Sequence, residues 1–75
     1  MDIADRYQLI ADETGLTLGQ VGAYLVELVT QPDGDLVAYF GIEAGRDQDV
    51  SCRLPKSRAV RISKEKVEGY ERGNG

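Results

Sequence analysis

Basic side chains crowd one short stretch of this 75-residue chain. Six of them fall within positions 53–66, where Glu65 is the only acidic residue. Clustered lysine and arginine side chains are typical of surfaces that bind nucleic-acid phosphates, and glutamine is able to hydrogen-bond to a base edge. The residues predicted to bind nucleic acid are Gln20, Arg53, Lys56, Arg58, Arg61, Lys64 and Lys66.

The acidic residues lie mostly in the other part of the chain. Residues 1–50 hold ten acidic and two basic residues, a net charge of −8, whereas residues 51–75 hold three acidic and seven basic ones, a net charge of +4. An acidic surface can occupy a basic groove on another protein, as small phage proteins do when they mimic nucleic acid. The residues predicted for such an interface are Asp12, Glu13, Glu27, Asp33, Asp35, Asp47 and Asp49. A third interpretation is that the two parts neutralise each other within one fold.

The composition excludes several kinds of catalytic site. The chain has no histidine, which rules out histidine-based triads, histidine-ligated zinc and histidine proton shuttles. Its single cysteine, Cys52, cannot form an intramolecular disulfide. Because Cys52 alternates with Val50 and Leu54, we expect a thiol in the core rather than a nucleophile. An enzyme is therefore not expected.

Two pairs of carboxylates are spaced closely enough to be considered as cation ligands. Asp33 and Asp35 flank Gly34, and Asp47 and Asp49 flank a glutamine. A calcium loop needs a longer series of ligands that ends in a bidentate glutamate, and the sequence has none. Aspartate is also a common turn residue, which explains both pairs. We expect no metal site and no cofactor.

The elements that position these residues begin with a helix. Residues 3–13 place apolar side chains at helical spacing, Asp2 is suited to cap the first turn, and Gly15 is suited to end the helix. The next stretch supports two predictions. Thr17 and Gln20 have the spacing of a capping box and predict a helix, whereas the alternation that ends at Leu28 predicts a strand. The pattern leaves residues 18–29 open between the two.

Downstream, the pattern favours strands. Residues 35–42 alternate with two largely apolar faces, and residues 49–54 predict a half-buried strand that forms a hairpin with them. Residues 59–62 predict a further short strand. Ser63 is suited to cap a brief helix that extends through Tyr70, and residues 73–75 are predicted to fray.

The segment from Tyr7 to Val26, YQLIADETGLTLGQVGAYLV, resembles a helix-turn-helix. Ala11 supplies the small residue of the first helix, and Gly15 supplies the glycine of the turn four residues later. The hairpin over residues 35–54 would resemble the wing of the winged helix-turn-helix family. That resemblance implies DNA binding, with Gln20 and the wing near the bases and the basic segment on phosphates.

Taken together, these patterns predict one α+β domain over residues 1–75. An N-terminal helix, helix-turn-helix-like with residues 18–29, precedes a small antiparallel sheet and a short C-terminal helix. Its core is predicted to contain Ile3, Tyr7, Ile10, Leu18, Val21, Leu25, Leu28, Phe40, Val50, Cys52, Leu54, Val60 and Ile62.

Two functions fit this domain. The first is a regulatory module that binds nucleic acid through residues 53–66, and the alternative is an acidic inhibitor or adaptor that blocks a nucleic-acid-processing machine. The chain has no long apolar run and begins with acidic residues, so we expect an intracellular, cytoplasmic protein with no membrane partner. A homodimer is left open.

Overall fold

A computed structural model describes residues 2–43 and 45–74 of the chain, with side chains described up to residue 70. In chain order, its elements are α1 (Ile3–Thr14), α2 (Leu18–Tyr24), β1 (Leu25–Thr30), β2 (Leu36–Phe40), α3 (Gln48–Arg53), β3 (Ala59–Ile62) and α4 (Lys64–Asn74). The described fold is α+β, with four helices and one three-stranded antiparallel sheet. The predicted fold class is confirmed.

Local hydrogen bonds set the limits of α1 as predicted. The Asp2 carboxylate accepts from the main-chain N–H of Asp5 at 2.9 Å, which satisfies one of the free donors at the helix start. Gly15 adopts a left-handed conformation (φ 79°) and donates its N–H to the carbonyl of Ala11 at 2.8 Å. Because a side chain is strained at this φ, glycine is the residue best suited to end α1 there.

Residues 18–29 are divided between the two alternatives. The capping box of Thr17 and Gln20 starts α2, but α2 ends at Tyr24 and Leu25 is extended. Residues 25–30 include two valines and a threonine, which favour a strand, and β1 pairs with β2 across the turn that follows. A helix over the whole of 18–29 is therefore wrong, and so is a strand over the whole of it.

The predicted hairpin over 35–54 is also wrong, because residues 48–53 form α3. Asp47 caps this helix by accepting from the N–H of Val50 at 3.2 Å. Val50 and Leu54 are four residues apart, so a helical turn buries both as well as a strand would. The hairpin of this fold is instead β1–β2, and β3 joins the far side of β2.

The sheet buries one face against the helices. Leu28 lies opposite Ala38, and Ala38 lies opposite Val60. All three belong to the core or pack against it. The next row towards the β1–β2 turn places Leu36 between Thr30 and Ile62. The fully buried side chains of Ile10, Ile62, Val21 and Val50 show where α1, α2, α3 and the sheet meet.

The predicted core is partly confirmed. Ile10, Val21, Phe40, Val50, Leu54 and Ile62 are buried, and Tyr7, Leu25, Leu28 and Val60 pack against them half-buried. Ile3, Leu18 and Cys52 are exposed, because each lies on the solvent side of a short helix. Leu9, Ala11, Leu16, Leu36 and Ala38 belong to the buried core although they were not predicted there.

The C-terminal segment begins as expected. The hydroxyl of Ser63 accepts from the main-chain N–H of Lys66 at 3.4 Å at the start of α4. The helix continues to Asn74, past the predicted onset of fraying at residue 73, and Gly75 lies outside the described residues.

Candidate functional site

The basic residues of the segment 53–66 do not form one open surface, and Arg61 shows why. Its Nε lies 2.7 Å from Asp35 Oδ2, and its Nη2 lies 2.9 Å from Asp33 Oδ2. Asp35 also accepts from the main-chain N–H of Lys64 through Oδ1 at 2.8 Å. The β1–β2 turn thus holds the end of β3 through one guanidinium and two carboxylates.

Three more cations of this segment also face carboxylates. Lys66 Nζ lies 2.6 Å from Glu13 Oε1, which joins α4 to α1. Arg53 Nε lies 3.3 Å from Asp49 Oδ1 within α3. Lys64 Nζ lies 3.9 Å from Glu68 Oε1, one turn along α4. Arg53, Arg61 and Lys66 thus pair with carboxylates of residues 1–50, as the third interpretation of the sequence expected for part of the charge.

Lys56 and Arg58 are the cations of the segment without a carboxylate partner in the described part of the chain. Arg58 has a positive φ of 59°, and its Nη1 donates to the main-chain carbonyl of Ser51 at 3.2 Å. Lys56 is exposed on the same turn. Gln20, the predicted base reader, accepts from the N–H of Thr17 through Oε1 at 3.0 Å and so completes the cap of α2.

The predicted acidic interface is dispersed in a similar way. Glu13, Asp33, Asp35 and Asp49 are the partners of the cations just described. Asp12 accepts from the side-chain amide of Gln8 at 2.9 Å. Glu27 is exposed on β1, and its carboxylate has no hydrogen bond or ion pair to any described residue.

The Asp47 carboxylate accepts two hydrogen bonds that position α3. One oxygen caps α3, and the other accepts from the hydroxyl of Tyr24 at 3.2 Å. Partial burial and this hydrogen bond raise the pKa of Tyr24. Because Tyr24 is the last residue of α2, Asp47 fixes the position of α3 relative to α2.

The Arg61 network shifts two pKa values in opposite directions. The hydrogen bond from Arg61, followed by that from the main chain of Lys64, lowers the pKa of Asp35 below its ordinary 3.8. The hydrogen bond with Asp35 raises the pKa of Arg61. Both groups therefore stay charged throughout the neutral range.

We expect Asp35→Asn to be less stable than the wild type at neutral pH and to lose that difference in acid. A carboxylate with a lowered pKa in the folded state stabilises the fold fully above its pKa in the unfolded state. The contribution is lost as the pH falls through the lower, folded-state pKa. Urea midpoints at neutral pH and at about pH 2 measure this change. Glu27→Gln is the control, and an Asp35→Asn deficit that persists in acid would contradict the account.

The face of the sheet that points away from the core was not recognised from the sequence as a site. We call it the outer face, and it carries Glu27, Val29, Val37, Tyr39, Ala59 and Arg61. None of these six belongs to the core cluster or packs against it. Val37, at the centre, is only 5% exposed, whereas Tyr39 is 40% exposed. The sequence feature that could have indicated this face is β2, because its residues are apolar on both faces of the sheet.

The apolar area continues from the outer face to the β1 edge. A register shift between Leu25 and Glu27 leaves Val26 opposite no residue of β2, and its side chain is 72% exposed. Val26 lies over Gly41, where an added Cβ would come within 2.7 Å of Val26 Cγ2. Beside Gly41 is an open cleft of about 230 Å³, lined by Ala23, Tyr24, Gly41, Ile42, Glu43 and Arg46.

The rim of the outer face is acidic. Glu27 occupies one corner, and the network of Asp33, Asp35 and Arg61, with a net charge of −1, occupies the diagonally opposite end. Valines, an alanine and a tyrosine lie between them. The chain as a whole carries −4. This arrangement combines a small apolar centre with a rim that attracts cations.

The two aspartate pairs that were considered as cation ligands have other partners in the described residues. Asp33 and Asp35 bind Arg61, Asp47 caps a helix, and no group of three or more potential metal ligands occurs among the described residues. In the same part of the chain, no helix is long and apolar enough to cross a bilayer. No protein-family model, curated protein or solved structure matches the chain.

Proposed function

We propose that this protein is a non-enzymatic binding module whose partner is another protein. The observation that carries the proposal is the outer face, where Tyr39 and the adjacent Val26 are exposed and no residue packs against the described core. Exposed aromatic and aliphatic side chains that are surrounded by polar ones mark interaction sites. The polar residues around this area are mostly acidic, so the proposed partner presents basic side chains.

The distribution of charge favours a protein partner over nucleic acid. Of the six clustered cations, four are held by carboxylates, and a phosphate would have to compete with those carboxylates for them. The outer face has a net negative rim, which repels a phosphate backbone. A basic protein surface gains from both the apolar centre and the rim.

A basic groove that handles nucleic acid is one surface of this kind. An acidic module seated in such a groove would exclude the nucleic acid by occupying its place, which is the inhibitor role expected as the alternative from the sequence. In this proposal, the unpaired Glu27 and the net charge of −1 that Asp33 and Asp35 keep after pairing with Arg61 face the partner. Asp47 and Asp49, by contrast, serve α3.

Nucleic-acid binding is the second candidate. It is favoured by Lys56 and Arg58 on one turn, and by the order of α1, the Gly15 turn and α2, which fits the proposed helix-turn-helix resemblance. The β1–β2 hairpin that follows α2 carries Asp33 and Asp35 at its tip, where a wing that contacts phosphates would carry cations.

A titration separates the two candidates. We expect no saturable binding of the protein to random duplex or single-stranded DNA at about 50 mM salt, where a protein with several phosphate contacts retains most of its affinity. Fluorescence anisotropy of labelled DNA of about 20 nucleotides measures this. Saturable binding that is lost in the Lys56→Ala, Arg58→Ala double variant would overturn the protein-partner proposal. Partner capture with Tyr39 changed provides the positive test.

A further inference from the structure

The free side of β1 offers main-chain hydrogen bonds as well as side chains. The N–H of Gln31 donates to the carbonyl of Asp35 at 2.8 Å, which fixes the alternation of the β1–β2 ladder. Hydrogen-bonded and non-hydrogen-bonded pairs alternate along an antiparallel ladder. The next hydrogen-bonded pairs before Gln31 and Asp35 are therefore Val29 with Val37 and Glu27 with Tyr39. The N–H and C=O groups of Leu28 and Thr30 therefore point away from β2.

These outward groups have no partner in the described part of the chain. The strand order is β1–β2–β3, so β1 is an edge, and no main-chain hydrogen bond to Leu28 or Thr30 is made from outside β1 and β2. Natural edge strands are usually blunted by proline, lysine or an inward-pointing charge. Residues 25–30 contain none of these, and the register shift at Val26 disturbs only the start of β1.

We infer that the partner docks by adding an extended, basic strand to the β1 edge, hydrogen-bonded to Leu28 and Thr30. This inference rests on the proposed function and specifies the partner segment. In an added strand, alternate side chains project over the outer face. One lies beside Val29 and is apolar. Of the residues two positions to either side, one lies beside Glu27 and the other beside Gln31, next to the turn that carries Asp33 and Asp35. Both are lysine or arginine.

Charge determines the choice of occupant. The side chain of Glu27 has no ion pair with any described residue, and the turn that follows the other end of β1 carries Asp33 and Asp35, whose network with Arg61 has a net charge of −1. A second copy of this chain would bring another net charge of −4 and another Glu27 to the same edge. Like charges placed together are disfavoured, whereas a basic segment neutralises both ends. A basic strand therefore fits this edge better than a homodimer does.

The test uses the symmetric peptide acetyl-Lys-Thr-Val-Thr-Lys-amide, which places valine beside Val29 and a lysine at each end in either strand direction. It is titrated into the ¹⁵N-labelled protein, and amide resonances are followed by NMR. We expect the resonances of Leu28 and Thr30 to move furthest and their hydrogen exchange to slow at least about tenfold. The peptide with glutamate in place of both lysines should produce neither effect.

Thr30→Pro is the matched variant. Thr30 lies in a non-hydrogen-bonded pair with Leu36, so proline removes an outward N–H and leaves the β1–β2 ladder intact. We expect affinity for the lysine peptide to fall by roughly tenfold or more, with the spectrum of the remaining fold unchanged. Glu27→Lys should remove the preference for the lysine peptide, because the edge would then carry one charge of each sign.

Three results would overturn the inference. The first is the absence of shifts at Leu28 and Thr30 at millimolar peptide, and the second is an equal response to the glutamate peptide. The third is a concentration-dependent shift of the same two resonances without peptide, which would make a second copy the occupant. If Thr30→Pro still captures a partner protein that Tyr39→Thr does not, the strand inference fails while the proposed function stands.

Discussion

Replacing Ile10 by alanine is expected to lower the free energy of unfolding by about 2–5 kcal/mol. Ile10 is 0% exposed at the centre of the face of α1 that packs on the core. Removing its side chain beyond Cβ loses buried apolar contacts and leaves a cavity that neighbouring residues fill only in part. A chain of this size has little stability to lose, so a large fraction of Ile10→Ala molecules should be unfolded in mild denaturant.

Ile3→Ala provides a matched control in the same helix. Ile3 is 64% exposed, and the change gives the same small gain in helix propensity as at position 10. Its effect on unfolding should stay within about 0.5 kcal/mol. Chemical denaturation with urea measures both variants. Equal losses at the two positions would show that α1 presents a different face to the core than the one described here.

The helices at the start of the chain were predictable because their limits are set by neighbours in sequence. The Asp2 cap, the left-handed Gly15 and the capping box of Thr17 each involve residues no more than four positions apart. Local signals of this kind can be recognised in a sequence without knowledge of the fold. They predicted where α1 begins and ends, and they gave the start of α2 as one of two alternatives.

The strand predicted over residues 49–54 was wrong because the spacing of its apolar residues fits a helix as well as a strand. Val50 and Leu54 are four residues apart, and that spacing suits both one face of a helix and one face of a strand. Only Cys52 distinguishes the two, and it is exposed because residues 48–53 are helical. Both predictions for residues 18–29 were wrong for a different reason. The change from α2 to β1 at Leu25 depends on pairing with β2, which the local sequence does not show.

The candidate sites depended on long-range contacts that the sequence does not encode locally. Arg61 and Asp33 are 28 positions apart, and Lys66 and Glu13 are 53 apart. The antiparallel sheet brings the first pair together, and the packing of α4 near α1 brings the second. The sequence predicted two charged sets as rival surfaces, whereas the fold pairs many of their members with each other. The outer face emerges only once the register of β1, β2 and β3 is known.

Replacing Tyr39 by threonine is expected to abolish measurable capture of the partner. Tyr39 is the exposed aromatic side chain on the outer face, and such side chains contribute a large share of binding energy at protein interfaces. Tyr39→Thr replaces the aromatic ring with a β-branched side chain that also favours a strand, so β2 should persist. We expect the affinity for the partner to fall by at least roughly thirtyfold, which corresponds to the lower limit of about 2 kcal/mol for an interface hot spot.

Partner capture by matched variants tests this claim most directly. Wild-type protein, Tyr39→Thr and the exposed-surface control Ile3→Thr are immobilised at equal density, after denaturation midpoints have shown that all three are folded. Each is exposed to the same extract of the source cells, and the retained proteins are quantified by mass spectrometry. The account predicts a protein retained by wild type and Ile3→Thr and lost from Tyr39→Thr. Equal retention by Tyr39→Thr and Ile3→Thr would contradict it.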